Sequence, residues 1–220
     1  MIPIKRQKWF LRFVLFSLWV TMACVPLAPA SLAQAVITGA EGENLIVRSS
    51  GEIPVAPGTS CLEGDQLKVS TGSRLDISVL GTAGFRFFTH TEATLTRLSK
   101  LDMAVDLTSG NLAVKVPRRL AGFQLRIETP SAIITVKGTQ FWVNASDVGT
   151  KKMTTVATRE GQVKVTVKKT AESYTLQKGE AIDVSSDGLP PPEPRPALDI
   201  EANAARQAEG IIIHTLRNSP

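Results

Sequence analysis

The sequence predicts an all-β protein: an antiparallel, twin-layered β-roll or sandwich of many short strands. Three observations predict it. Apolar and polar residues alternate, as in Leu75, Ile77 and Val79 with Asp76 and Ser78, Phe123, Leu125 and Ile127 with Gln124, Arg126 and Glu128, and Val163, Val165 and Val167 with Lys164 and Thr166. A period of two places each apolar set on one face of a sheet, the pattern of half-buried antiparallel strands. Val, Ile and Thr are abundant, and Gly recurs at segment boundaries, where a turn or bulge needs an unusual backbone angle. Finally, no apolar run between about 36 and 186 has helical spacing.

The first 33 residues stand outside that pattern. Lys5, Arg6, Lys8 and Arg12 form a cationic start, an apolar run follows from Phe13 to Val25, and Ser31 and Ala33 are small where signal peptidase would cut. Residues 1–33 therefore read as a secretory signal peptide cleaved after Ala33. The apolar run spans roughly 20 Å as a helix, short of a hydrocarbon core of roughly 30 Å. Two other fates fit the same residues. One is retention as an inner-membrane anchor, with Trp9 to Leu11 lengthening the run; the other is lipid attachment at Cys24, although Thr21 replaces the usual Leu. Membrane contact is expected only in those two cases; otherwise the protein is periplasmic or otherwise exported.

The leader also accounts for the charge. The whole chain carries 25 Lys and Arg against 20 Asp and Glu, a net +5; without the four leader cations the count is 25 − 4 = 21 against 20, or +1. A polyanion-binding argument from net charge therefore fails. With 43% apolar and 20% charged residues, the chain is neither wholly disordered nor a coiled coil. Cleavage would leave Cys61 as the single Cys, so the exported part would have no internal disulfide and would rest on its core. Cys61, between Ser60 and Leu62, reads as a small buried apolar residue.

Residues 36–186 form the expected β domain. A weak internal repeat runs through it: Gly110-Asn111-Leu112-Ala113-Val114-Lys115-Val116 parallels Gly161-Gln162-Val163-Lys164-Val165-Thr166-Val167. Gly64-Asp65-Gln66-Leu67-Lys68-Val69 and Gly179-Glu180-Ala181-Ile182-Asp183-Val184 form a looser pair. Each unit reads as a Gly turn feeding a new strand, at spacings too uneven for a solenoid of constant period. A Pro-rich linker follows at 187–196, which favours an extended polyproline II spacer. The last segment, 197–220, is a short helical or docking tail: Ala197 to Glu209 is rich in Ala, Gly210 is a helix stop, and Ile211-Ile212-Ile213 is an apolar cluster. A helix that short needs a surface to lie on, so the tail is expected to cap the β domain or bind another chain.

Little in the sequence points to chemistry. His90 and His214 lie 124 residues apart with no metal-ligand spacing beside them, and no nucleophile elbow, P-loop or dinucleotide fingerprint occurs. Asp102 and Asp106 read as solvated charge, as do Arg118-Arg119, Lys151-Lys152 and Lys168-Lys169 beside turn signals. No catalytic, cofactor-binding or metal-binding residue is assigned, and no cofactor is expected. The seven aromatics beyond the leader are too few for a nucleic-acid stacking platform. Trp142 alternates with Phe141 and Val143 and so should point away from their face. It is the one weak candidate for a partner-binding residue; burial against a second sheet or the C-terminal segment is the alternative.

Several motifs in order carry a family resemblance. They are Pro57-Gly58-Thr59, Leu62-x-Gly64-Asp65, Ser70-Thr71-Gly72-Ser73-Arg74-Leu75, Leu107-x-x-Gly110, Thr129-Pro130-Ser131-Ala132, Val136-Lys137-Gly138-Thr139-x-Phe141-x-Val143, Glu160-Gly161-x-Val163 and Gly179-Glu180. Residues 36–186 thereby resemble the FecR domain of bacterial envelope proteins. Gly81-Thr82-Ala83-Gly84 departs from the Asp-Gly turn of many members. The resemblance implies a periplasmic β domain of signal transduction; in the best-known members an envelope receptor's state reaches a cytoplasmic sigma factor through one transmembrane helix. The dozen residues before the apolar run are too few for a sigma-binding domain. The expectation is an exported, non-enzymatic domain that binds an envelope protein or glycan, with no nucleic acid. The alternatives are a cell-wall or polysaccharide-binding module and a membrane-anchored sensor of a sigma-factor system. Thr139 resembles a nucleophile, but nothing near it in sequence resembles its general base.

Overall fold

A computed structural model of the chain describes residues 35–79, 81–117, 121–136, 138–189 and 192–213. The expected signal peptide and its cleavage site, Cys24, Arg118-Arg119 and His214 lie outside the described residues.

Among the described residues there are seventeen strands. The first eight are β1 (Ala35–Glu41), β2 (Asn44–Arg48), β3 (Gly51–Pro54), β4 (Ser60–Cys61), β5 (Gln66–Val69), β6 (Arg74–Val79), β7 (Ala83–Phe87) and β8 (Thr91–Leu98). The long β9 (Asp102–Lys115) comes next. Then follow β10 (Gln124–Glu128), β11 (Ala132–Val136), β12 (Gln140–Val148), β13 (Lys151–Glu160), β14 (Val163–Val167), β15 (Ser173–Leu176), β16 (Glu180–Ser185) and β17 (Arg195–Pro196). One helix, α1 (Asp199–Arg206), runs into a 3-10 turn at Gln207–Gly210.

The pairings sort these strands into two layers. Sheet 1 has the order β4-β1-β6-β7-β9-β12-β13-β16-β17. Sheet 2 has the order β3-β2-β5-β8-β9-β10-β11-β14-β15. The two-layer, all-β expectation therefore holds, with one parallel pair, β9 with β10. β9 is the middle strand of both sheets: its first half pairs with β8 and β10, its second with β7 and β12. Strands before β9 occupy one side of each sheet, and strands after it the other.

The change of layer happens at Gly110, whose φ is +95°. A Cβ there would stand 2.4 Å from Thr91 Oγ1 and 2.6 Å from the His90 carbonyl oxygen. Only glycine satisfies both the backbone angle and the close approach. Thr91 holds the crossing from the other side, its hydroxyl accepting from the Asn111 N–H at 3.0 Å. Of the four glycines heading the internal repeat, Gly64, Gly161 and Gly179 sit in turns as expected, whereas Gly110 is a hinge inside a continuous strand. The paired units also fall in opposite layers, as with β5 in sheet 2 and β16 in sheet 1.

Between the layers lies one apolar core, including Ile37, Ile46, Leu67, Ile77, Leu95, Val105, Ile134, Val143, Val165 and Ile182. Phe85 and Phe87 are fully buried and stack with ring centroids 6.3 Å apart. Polar groups fasten the layers at two places. Asp65, 1% exposed, accepts both Arg48 Nε and Nη2 at 2.6 Å and the Leu62 N–H at 2.8 Å, and Arg48 Nη2, from sheet 2, also reaches the Ser60 carbonyl of β4 in sheet 1 at 3.3 Å. In the Thr129-Pro130-Ser131-Ala132 turn of sheet 2, Ser131 Oγ lies 2.6 Å from Thr154 Oγ1 and 3.0 Å from the Val184 carbonyl, both in sheet 1. Thr129 Oγ1 completes that buried hydroxyl group 2.7 Å from Thr154 Oγ1.

Because Gly110 combines positive φ with close approach to His90 and Thr91, Gly110→Ala is expected to destabilise the fold by about 2–5 kcal/mol in urea titration. Gly149→Ala, at φ +63° in an open hairpin with nothing within 4 Å, is expected to cost about 1–2 kcal/mol.

Candidate recognition surface

The outward face of sheet 1 is where the residues singled out in the sequence meet structure. Cross-strand register places Asp76, Arg86, Ala113, Trp142, Ala157, Ala181 and Arg195 in one row across seven neighbouring strands. Charged side chains stand at its ends and three alanines in its middle. Small side chains on a twisted sheet leave a shallow trough, and the C-terminal segment lies in it. Ala113, Ala208 and Ile211 form a second apolar cluster against which Phe88 and Trp142 pack, both half-buried. Trp142 thus points away from Phe141 and Val143 and rests against the C-terminal segment. Gly84, in the same face, makes room for it: a Cβ there would stand 2.5 Å from Ile211 Cγ2.

Charge holds the segment at both ends. At its start, the Arg195 guanidinium donates to Asp183 Oδ2 at 2.7 and 2.9 Å and to both Glu201 oxygens at 2.6 and 2.9 Å. Glu201, 5% exposed, also accepts the Leu198 N–H at 2.7 Å, so a carboxylate sits in the first turn of α1, where the helix dipole favours it. At its end, Arg86 donates to Asp76 Oδ1 and Oδ2 at 2.8 and 2.6 Å and to the Gln207 carbonyl at 2.8 Å. That guanidinium satisfies a carbonyl left free where the helical segment stops. Lys115 Nζ adds a bond to the Glu209 carbonyl at 3.0 Å, and Arg159 pairs with the Glu209 carboxylate. Hydrogen bonding to Asp76 raises the Arg86 pKa against the opposing effect of burial, and Glu201 and Asp183 do the same for Arg195.

The outward face of sheet 2 differs. One row runs Val47, Gln66, Thr94, Asp106, Glu128, Ile133, Thr166, Ser173. Burial and then the neighbouring Glu128 raise the Asp106 pKa, while Lys168 and Arg126 lower that of Glu128. Asp102 is not brought into an acid–base pair with Asp106; it bonds Arg97 at 2.5 Å. Lys151 pairs with Asp187, Lys152 with Asp147 and Lys168 with Glu128, each within 2.7 Å. His90 sits in the β7–β8 turn, 3.3 Å from Thr71 Oγ1. Thr139 is buried, its hydroxyl without a hydrogen-bond partner among the described residues. Cys61 is fully buried, and burial pushes its thiol pKa up to about 12.

Sequence reasoning missed the Asp76–Arg86 pair and the role of the alanine row. A signal for the latter was present: Ala113, Ala157 and Ala181 occupy outward positions where a solvent-facing strand would carry Lys or Thr.

The edges of the sheets complete the candidate surface. β4 and β17 have two residues each, and β3 carries Glu52 and Pro54. β15 is different: four residues with no Pro and no charge, paired on one side to β14. The Val167 N–H donates to the Glu172 carbonyl at 2.8 Å. Antiparallel alternation then turns the backbone N–H and C=O of Ser173 and Thr175 toward the free side.

Part of the chain is similar to known proteins. The model of the FecR protein family matches residues 65–164, from the start of β5 into β14. Two crystal structures of a protein provisionally named as an anti-sigma factor, from Parabacteroides distasonis ATCC 8503, share the fold at a TM-score of 0.51 and 18% identity. The likeness covers 60% of this chain and 59% of theirs, so it spans about three-fifths of the length of those structures. No curated protein matches the chain.

Two outcomes are expected from these contacts. Arg86→Met leaves the Asp76 carboxylate buried without its cation and should cost about 3–5 kcal/mol in chemical denaturation, most of it recovered in the Arg86→Met/Asp76→Leu double variant. At pH 8 a thiol with a pKa of about 12 is ionised to on the order of one part in ten thousand. Cys61 should therefore resist a thiol-disulfide reagent in the native protein and react promptly in denaturant.

Proposed function

On the premise of a FecR-family domain at residues 65–164, we propose that this chain is an exported, non-catalytic protein-binding domain of the bacterial cell envelope, acting in sigma-factor regulatory signalling. The free edge of β15 carries the reading. Among the described residues it offers the outward N–H and C=O groups of Ser173 and Thr175 on a four-residue strand, uncharged and free of proline, on a scaffold whose other edges are two residues long or blunted by Glu52 and Pro54. An extended segment of an envelope protein adds to such an edge as one more strand, with affinity from main-chain hydrogen bonds. The fold likeness to the Parabacteroides protein is consistent with this role and supports it as a scaffold, not as an identity of partner.

A pull-down from native envelopes tests the reading, run beside N-terminal sequencing of the processed chain. Recovery of a specific envelope protein, lost with Thr175→Pro, is the expected result, because that change removes a donor on the free side and leaves the pairing to β14 intact. Retention on purified glycan with no protein recovered would overturn it in favour of a polysaccharide-binding module. A first residue of Gln34 supports export with cleavage; an intact leader moves the protein to the inner membrane as an anchored sensor.

A further inference from the structure

The trough on sheet 1 holds its tail through groups that a second copy presents equally well. Arg86 and Lys115 bond backbone carbonyls of Gln207 and Glu209, and the middle of the contact is Ala208 and Ile211 against Ala113, Phe88 and Trp142. β17 moves with the tail, since Arg195 grips Glu201 directly. The covalent tie to the rest of the domain is the stretch 186–194 between β16 and β17, rich in proline and able to extend about 3.1 Å per residue, or roughly 28 Å. A second observation concerns that tie. Leu189, Leu198 and Ile200 are 62%, 57% and 76% exposed. Leu189 lies in the linker and Leu198 and Ile200 just beyond β17, so three of the six large apolar residues that the described surface exposes flank that two-residue strand. Apolar side chains concentrated at a hinge are what an exchanged pair of chains would cover, because the new contact in such a pair forms where its two linkers run.

We propose that residues 195–213 exchange between two copies of this chain. β17 pairs with β16 of the second copy, and the tail lies in that copy's trough, giving a domain-swapped dimer. Within one copy the short tether keeps the tail at a local concentration in the millimolar range, so the single chain prevails in dilute solution. Exchange is favoured where copies are crowded together. The inference is independent of the envelope partner proposed above.

Two variants of the full-length chain, in mild detergent, separate exchange from closure within one copy. Gly84→Val fills the space that Ile211 occupies and blocks the trough; Ile211→Asp disables the tail. Each variant alone should be monomeric by native mass spectrometry. Mixed in equal amounts, they should form a one-to-one complex, the tail of the first lying in the trough of the second. Trp142 fluorescence, read with Trp9→Phe and Trp19→Phe also present in both variants and red-shifted in each alone, should return toward the blue in the complex. A mixture that stays monomeric while both variants keep a cooperative thermal transition overturns the proposal, as does a dimer formed by either variant alone. Should Gly84→Val fail to fold, Gly84→Ala serves, since its Cβ alone would stand 2.5 Å from Ile211 Cγ2.

Discussion

The structure depends on one strand crossing between two sheets. β9 is central in both, so the contact of Gly110 with His90 and Thr91 sets where each half of the strand lies and which neighbours it meets. A β-carbon at that point would push the hinge out of contact with the β7–β8 turn. The two halves of β9 would then lose their common register, and with it the alignment of the inward faces that make the core. The crossing is stitched further by the Phe88 N–H to the Asn111 carbonyl at 3.0 Å and by Asn144 Nδ2 to Asn111 Oδ1 at 2.9 Å.

From that arrangement follows the difference between the two outward faces. Sheet 2 presents polar and charged side chains in rows. Sheet 1 presents alanines bounded by arginines, and the cost of leaving Trp142 and Phe88 in water is reduced by the chain's own tail. The apolar part of this contact is small, and the ends of the tail are held by charge-assisted bonds, which are stronger than neutral ones when buried. Glu201 and Arg86 each act on a free helix terminus, so the tail is recognised as a helix with two ends as much as by its side chains.

The family match covers the middle of the architecture, residues 65–164, and the flanking strands complete both sheets on either side. Within the match, the Thr129-Pro130-Ser131-Ala132 segment has a physical reason for its residue types. Two hydroxyls meet Thr154 across the layers, Pro130 sits in the turn where no ladder N–H is needed, and Ala132 is fully buried at the start of β11.

The fold class, the alternation of Leu75, Ile77 and Val79, the helix stop at Gly210 and the outward direction of Trp142 were legible in sequence, because each depends on local periodicity or backbone preference. The strand order was not, since a period of two states which face a residue occupies and not which strand lies beside it. Nor could residue spacing show that Asp76 faces Arg86 under a helix end, that Gly110 is a hinge rather than a turn, or that three outward alanines form a trough. Those facts arise from contacts between residues far apart along the chain. Only the folded arrangement of both sheets brings them together.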